Sequence, residues 1–398
     1  MQSPNNLKIA IIGAGPASLT LAAILHHQNL PFTIFEAHTS LRNEGGSLDL
    51  HPATGQAALK EAGLWAQFVK HARPESDVAK AVDLITGEVY FDQNGPDKEE
   101  TEGKSEEELF AGRPEIDRGA LSKILYESLP EASVKWGKKL VKIEPSATAV
   151  KGKHDLYFAD GTEERGVDLV VGADGAWSKV RSLLSTIQPQ YSGISLIESW
   201  HRDVKSNPWL HDYVGAGTMF AFGQDCAVIS QRQGDGSVRT YACLRTPEDF
   251  IQTCGIDWQD QDTARKDFVE QYLSHISEDL KWVVLECKDF SIPRSLYELP
   301  PTFTFSHREG VTLIGDAAHL MTPFAGIGVN VGMTDSLSLA RQIITASKGE
   351  KTPDDALREY EADLFPRVEK AMQKTLHGKE THFTENGTKK MVDMMKGH

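Results

Sequence analysis

The chain has 398 residues, length for two or three domains, with 40% hydrophobic and 25% charged residues, the composition of an ordinary soluble globular protein. Its 57 acidic residues outnumber 42 basic ones, a formal net charge of −15, which argues against nucleic acid as a partner. No N-terminal stretch joins a basic region to an apolar one, and no run is long enough to span a membrane, so a cytoplasmic monomer is expected.

The first ordered stretch is LKIAIIGAGPASLTLAAIL, residues 7–25. An apolar strand, a glycine turn and a helix follow one another, and "PFTIFE" then supplies a second strand. This is a βαβ unit with a right-handed crossover and a parallel sheet. Gly13 makes the tight turn, and Gly15 lets backbone approach a pyrophosphate at the helix N-terminus. Glu36, at the end of the second strand, is placed for a ribose hydroxyl. Ser18 stands where a third glycine is usual, and it is small enough for most of that residue's packing role. A bound dinucleotide is therefore expected, with its identity open.

Residues 93–112 are acidic and glycine-punctuated and read as a solvated excursion. "RPEIDRGALSKILYESL" predicts a helix starting at Asp117, with Leu121, Ile124, Leu125 and Leu129 on its apolar face. Residues 134–171 alternate as a β-meander that returns to a buried strand. "VVGADGAWSKVR" (170–181) reads as strand, turn and helix, with Ser178 as a candidate N-cap. Residues 190–245 read as an antiparallel sheet forming a second layer. In "LIGDAAHLMTPFAGIGVN" (313–330), Asp316 follows the C-terminal end of a strand, and "GIGVN" opens a second helix N-terminus. Thr352 and Pro353 start a C-terminal helix, which Pro366 is expected to kink or break. Cys226, Cys243, Cys254 and Cys287 have neither disulfide nor zinc spacing and read as reduced thiols, and no metal is expected. His307 and His319 have no nucleophile near them in sequence and read as locally bonded side chains.

"GAGPAS", "GADGAWSKVR" and "GDAAHLMTPFAGIGVN" stand in an order that resembles the single-component (class A) FAD-dependent aromatic hydroxylases. "EGGSLDLHPATGQAALKEAGL" (44–64) and "RPEIDRGALSKIL" (113–125) are similar to the TetX-type tetracycline-inactivating monooxygenases. The resemblance implies a mixed α/β fold: a Rossmann-like FAD-binding domain, an interleaved antiparallel β-sheet substrate domain and a C-terminal helix. The expected boundaries are 1–75, 113–188 and 290–350 for the first, 76–112 and 189–289 for the second, and 351–398 for the helix.

The resemblance further implies non-covalent FAD, with NAD(P)H and O₂ as co-substrates and oxygen transfer through a flavin C4a-hydroperoxide. Gly13, Gly15 and Glu36 would hold the ADP half. Arg42 would lie near the pyrophosphate or nicotinamide, Asp49 near the flavin, and Arg118 and Asp316 on the ribityl chain. Asp174 and Pro323 lie in cofactor motifs, and Gly326, Gly328 and Asn330 would set N–H groups at the pyrimidine edge of the ring. Read by themselves, Asp49 is an ordinary turn acid and Arg118 a helix-face ion pair. No protein side chain is needed as a nucleophile, because the cofactor carries the chemistry. The substrate residues are expected to be Glu198, Arg239, Tyr241, Phe222 and Phe324. Their charges differ from the tetracycline enzymes' pattern, so a polycyclic aromatic, phenolic or polyketide-like substrate, a tetracycline-like one among them, is expected rather than tetracycline itself. The alternatives are a flavin oxidase or dehydrogenase on the same scaffold, and a flavoprotein that sequesters a polycyclic compound.

Overall fold

The computed structural model describes residues 7–42, 45–94, 104–146 and 152–396. A five-stranded parallel sheet forms its first layer, in the order β17 (Val311–Leu313), β11 (Leu169–Gly172), β1 (Ile9–Ile12), β2 (Thr33–Phe35) and β7 (Val134–Lys135). All four residues of β1 are buried, as a central strand covered on both faces must be. The helix Pro16–His27 leaves the glycine turn and packs on the helix Gly328–Ser347, where the Ser336 hydroxyl donates to the Ala17 carbonyl at 2.7 Å. Ser18 is fully buried, and its hydroxyl turns back to the Gly15 carbonyl at 3.0 Å, which is how a serine is accommodated in the third glycine position. A three-stranded meander, β8 (Leu140–Pro145), β9 (His154–Phe158) and β10 (Glu163–Val167), precedes β11.

The second layer is a seven-stranded sheet. Its order is β16 (Phe290–Glu298), β12 (Gln190–His201), β15 (Val238–Arg245), β14 (Cys226–Arg232), β13 (Thr218–Gly223), β4 (Ala79–Val82) and β5 (Val89–Asp92). All its pairs are antiparallel except β13 with β4. Its outer face, including Met219, Val228 and Ala242, buries against the helices Pro208–Val214, Gln261–Tyr272 and Glu278–Glu286. Between the layers lies a short ribbon of β3 (Ser47–Asp49) and β6 (Glu115–Asp117).

Four expectations change. Residues 290–298 were expected in the nucleotide fold but form the edge strand of the second sheet, because β12 is long enough to pair on both sides. Part of 76–112 belongs to the first layer instead: Phe110 enters its core, and Trp65 donates to Glu106 at 2.9 Å across residues 104–110. The helix expected after Ser178 is only a single 3₁₀ turn, Arg181–Leu183. Of the kink or break expected at Pro366, the break does not occur: the C-terminal helix continues from Pro353 to His382 with the proline inside it. Leu357, Tyr360, Leu364, Val368 and Met372 bury one face of it, and that packing outweighs the single backbone bond that proline removes. A further helix, Gly387–Lys396, follows, and its Thr388 hydroxyl donates to the Val82 and Phe222 carbonyls at 2.9 and 3.0 Å. The core of the acidic excursion, residues 95–103, lies outside the described residues. Among the described residues no helix is long and apolar enough to cross a membrane, and no side-chain group is arranged to hold a metal.

Candidate functional site: a nucleotide cradle facing a sheet

Two glycines of the first turn do different work. Gly13 has φ +105°, and a Cβ there would sit 2.3 Å from the Ala173 carbonyl oxygen. Gly15 has an ordinary φ of −81°, and a Cβ on it would meet nothing within 4 Å. The first glycine is required by the protein's own packing, whereas the second opens onto space a ligand can use. No side chain caps the helix behind Gly15, so its first N–H groups point outward. Glu36 accepts from Ala14 N at 2.7 Å and from His38 N at 2.8 Å, with His38 Nδ1 2.6 Å away. Burial opposes its charge, but these hydrogen bonds prevail and hold its pKa below the usual value.

The second turn is held from below. Asp316 begins a short helix at the end of β17, is exposed, and makes no hydrogen bond among the described residues. Beneath it, Asp335 accepts from Gly315 N at 2.9 Å, from His319 at 2.5 Å and from Arg367 at 2.7 Å. Arg181 is 1% exposed and donates to the Ala317 carbonyl at 3.1 Å and the Ala176 carbonyl at 2.5 Å, tying this turn to the GADG turn. Asp174 is occupied within its own turn: it accepts from Ser178 Oγ at 2.5 Å and Lys179 N at 2.7 Å. Burial raises its pKa. His307 lies away from these turns, between Asp354 and Glu361 at 2.8 and 2.7 Å.

The helix Gly328–Ser347 has no side-chain cap either. Gly326, in the left-handed conformation just before it, is exposed, as is Pro323. The Asn330 side chain, however, is fully committed: its Oδ1 accepts from His51 N, Thr54 Oγ1 and Gly55 N, and its Nδ2 donates to the Asp49 carbonyl at 2.7 Å. It thereby pins the ribbon to this helix and leaves only its backbone N–H for a ligand. The Asp49 carboxylate is 3.0 Å from His51 Nε2 and 3.7 Å from Arg113. Arg118, the first residue of its helix, is exposed, and so is Arg42.

The sheet brings Glu198, Arg239, Tyr241 and Phe222 onto one face, because directly paired residues point the same way, whereas Phe324 lies on the 3₁₀ turn Pro323–Ala325 that packs against that face. Three rows cross it. The lower row runs Phe290, Trp200, Arg239, Gln231, Thr218, and it meets the ribbon at Gly46, where a Cβ would lie 2.6 Å from Gln231 Oε1. The upper row holds Cys243, Ala227 and Phe222, and it is covered by Phe324, Phe383, Met391 and Val392. The middle row runs Ile292, Glu198, Tyr241, Ile229, Phe220, and all but Glu198 are partly or well exposed.

Glu198 and Arg239 do not stand as separate substrate ligands. They form a buried ion pair with each other, Arg294 closes the second carboxylate oxygen at 2.7 Å, and Trp200 lies 4.2 Å under the Arg239 guanidinium. Arg239 Nε is left without a partner among the described residues. The Tyr241 hydroxyl is pushed up to about 12, first by burial and then by Glu198.

Sequence reasoning missed Asp335, Arg181, Glu115 and His382. Asp335 had a legible signal, an acid on the buried face of an amphipathic helix; Arg181, the last residue of the 170–181 motif, had none that marked it as buried.

The residues fit a dinucleotide. The open space at Gly15, two helix N-termini without side-chain caps and the exposed Asp316 and Arg118 are groups a dinucleotide can use, and they stand on a parallel-sheet layer of the dinucleotide-binding type beside a second, largely antiparallel sheet. The family described as FAD binding domain matches residues 6–375. Monooxygenase asqM of Emericella nidulans is 31% identical over 453 aligned positions, covering 98% of this chain and 98% of that protein. Monooxygenase penA of Penicillium thymicola is 31% identical over 448, covering 99% and 100%. Among solved structures, Klebsiella pneumoniae HpxO complexed with FAD and uric acid superposes with a TM-score of 0.76 at 20% identity, covering 98% of this chain and 93% of that one. Tetracycline destructase Tet(55) superposes at 0.72 with 18% identity, covering 100% and 96%, a likeness of fold alone. The chain belongs to the FAD-binding-domain family and is a class A FAD-dependent aromatic hydroxylase, a monooxygenase.

Proposed function

We propose that this monooxygenase uses NAD(P)H and O₂ to hydroxylate a flat polycyclic aromatic or phenolic molecule lying on the middle row of the substrate sheet. One observation carries the reading. Tyr241, Ile229 and Phe220 form an apolar run left open between two covered rows, and Glu198 separates it from Ile292 on the edge strand. From β15 to β13 this run crosses two strand steps, about 10 Å at ~4.8 Å each. That length suits fused rings better than a single one. Glu198 closes one end of the run as a buried pair with Arg239, so the surface offered to a ligand is apolar and aromatic rather than ionic.

FAD, when bound, supplies the oxidation–reduction and oxygen chemistry. Gly15 and the helix behind it would receive the pyrophosphate, Glu36 a ribose hydroxyl, and Asp316 and Arg118 the ribityl chain. The Gly328 helix N-terminus would stabilise negative charge on the ring's pyrimidine edge. Phe222 of the upper row and Phe324, which packs over that row, would exclude water from one side of the run.

The test is turnover of a panel of tetracyclines, anthraquinones and simple phenols under ¹⁸O₂. Substrate-stimulated NAD(P)H oxidation with one labelled oxygen in a polycyclic product is expected. Peroxide without labelled product would assign an oxidase instead, and tight binding without NAD(P)H consumption would assign sequestration. Turnover of single-ring phenols alone would overturn the polycyclic class.

A further inference from the structure

Glu115 lies where three elements meet, and the reading above leaves it without a role. It sits on β6 directly opposite Asp49 on β3, so both carboxylates lie on the same face of the ribbon, while Leu48 and Ile116 turn into the core. That polar face rests on the substrate sheet. Glu115 is 6% exposed, and its nearest partners are hydroxyls: Ser47 Oγ donates to Oε2 at 2.8 Å, and Thr218 Oγ1 reaches Oε1 across the layers at 3.4 Å. Arg73 is the nearest cation, at 3.6 Å, but it is already bonded to Ser47 Oγ at 2.8 Å and to Asp117 at 2.9 Å. Glu115 is therefore a buried acid whose cation, Arg73, stands at a distance and is shared with Ser47 and Asp117.

We propose that Glu115 is a positioning residue: its proton sets how the Ser47–Asp49 strand seats against the substrate sheet, and through Asp49 how tightly the cofactor is held. The proposal rests on the placement of flavin and substrate given above. An ionised Glu115 puts a second negative charge beside Asp49 in a water-poor joint, whereas a protonated one accepts and donates between the two hydroxyls. Burial, resisted by Ser47 and Arg73 and assisted by Asp49, pushes the carboxyl up to about 7. The other charged groups around the joint are Asp117 through Arg73, and His51 and Arg113 through Asp49. A ligand that dries the joint further favours the protonated form, so binding takes up a proton, and affinity falls as pH rises past neutrality.

The test measures FAD affinity of the apoprotein by fluorescence quenching from pH 5.5 to 8.5, with urea midpoints over the same range. For the wild type, affinity should weaken several-fold above pH 7. Glu115→Gln, neutral at every pH, should flatten that profile and gain stability relative to wild type as pH rises. Thr218→Val, which removes the sheet-side hydroxyl while keeping the acid, should move the midpoint of the profile upward. An unchanged profile in Glu115→Gln, or an unchanged midpoint in Thr218→Val should the first variant not fold, overturns the proposal. A wild type that binds no FAD at any pH would sink the functional reading, and the urea series would then decide this one: a Glu115→Gln gain that does not grow with pH overturns it.

Discussion

His319 and Asp335 form an ion pair 2.5 Å apart with both side chains wholly shielded from water. Burial alone would lower the histidine's pKa, but the Asp335 carboxylate raises it above the ordinary 6.5. The aspartate is held below its own ordinary value: burial would raise it, but His319 and Arg367 prevail. The sign follows from linkage. The histidine's contribution is complete below pH 6.5 and fades as pH climbs through its folded value, and the aspartate's is present above pH 3.8 and fades in acid. Asp335→Asn should lower stability by about 3–5 kcal/mol at pH 6, the cost of breaking a buried pair. The deficit should shrink in alkali, as read by urea melts across pH.

The two turn glycines separate packing from binding. Gly13→Ala places a methyl against the Ala173 carbonyl at a left-handed φ, and it should cost about 1–3 kcal/mol or more of stability. Gly15→Ala should leave the melting temperature nearly unchanged yet weaken FAD about tenfold, ~1.4 kcal/mol. Equal effects of both changes on stability would place Gly15 in the core rather than at the pyrophosphate.

Asp316 is exposed and unbonded, so Asp316→Ala should move apoprotein stability by no more than about 0.5 kcal/mol. Loss of one charge-assisted hydrogen bond to the ribityl chain should weaken FAD by ~1.5–3 kcal/mol, roughly 10- to 100-fold. Unaltered FAD affinity would leave Asp316 as a bare strand-end charge.

His382 packs against Phe222 with ring centroids 4.6 Å apart and the rings tilted by 34°. Burial, with His377 adding to it, depresses its pKa to about 4. Its neutral form is native, so its contribution holds above pH 6.5 and is lost as pH falls towards 4. About 3 kcal/mol should disappear over that interval, at ~1.36 kcal/mol per unit. Protection of the Gly387–Lys396 amides against hydrogen exchange should fall first, because that helix closes over Phe222. His382→Phe should abolish this acid sensitivity.

The Glu198–Arg239 pair predicts non-additivity. Arg239→Met alone leaves Glu198 with the half-exposed Arg294, and Glu198→Leu alone strands a buried guanidinium. Each should cost about 3–5 kcal/mol, whereas the double replacement should cost clearly less than the sum. Additive losses in urea melts would show that the two side chains act independently.

The local parts of this protein were legible in the sequence, because strand, glycine turn and helix N-terminus are written within one short segment. The turns at Gly13–Gly15 and Gly315–Asp316 stand where "GAGPAS" and "GDAAH" put them. The Asp117 helix buries Leu121, Ile124 and Leu125 as its spacing indicates. What depended on distant partners was not legible. That Glu198 would spend its charge on Arg239 follows only from the register of β12 against β15. That Asn330 would pin Asp49 follows from a contact 281 positions away. Pro366 obeyed its tertiary setting rather than its propensity, since burying one face of a thirty-residue helix outweighs one missing hydrogen bond. Residues 290–298 likewise took the sheet that offered them a free edge. Local chemistry wrote the glycine turns and helix starts; long-range pairing decided how Glu198, Arg239 and Asn330 spend their charges and hydrogen bonds, because a buried polar group takes whatever partner the fold brings to it.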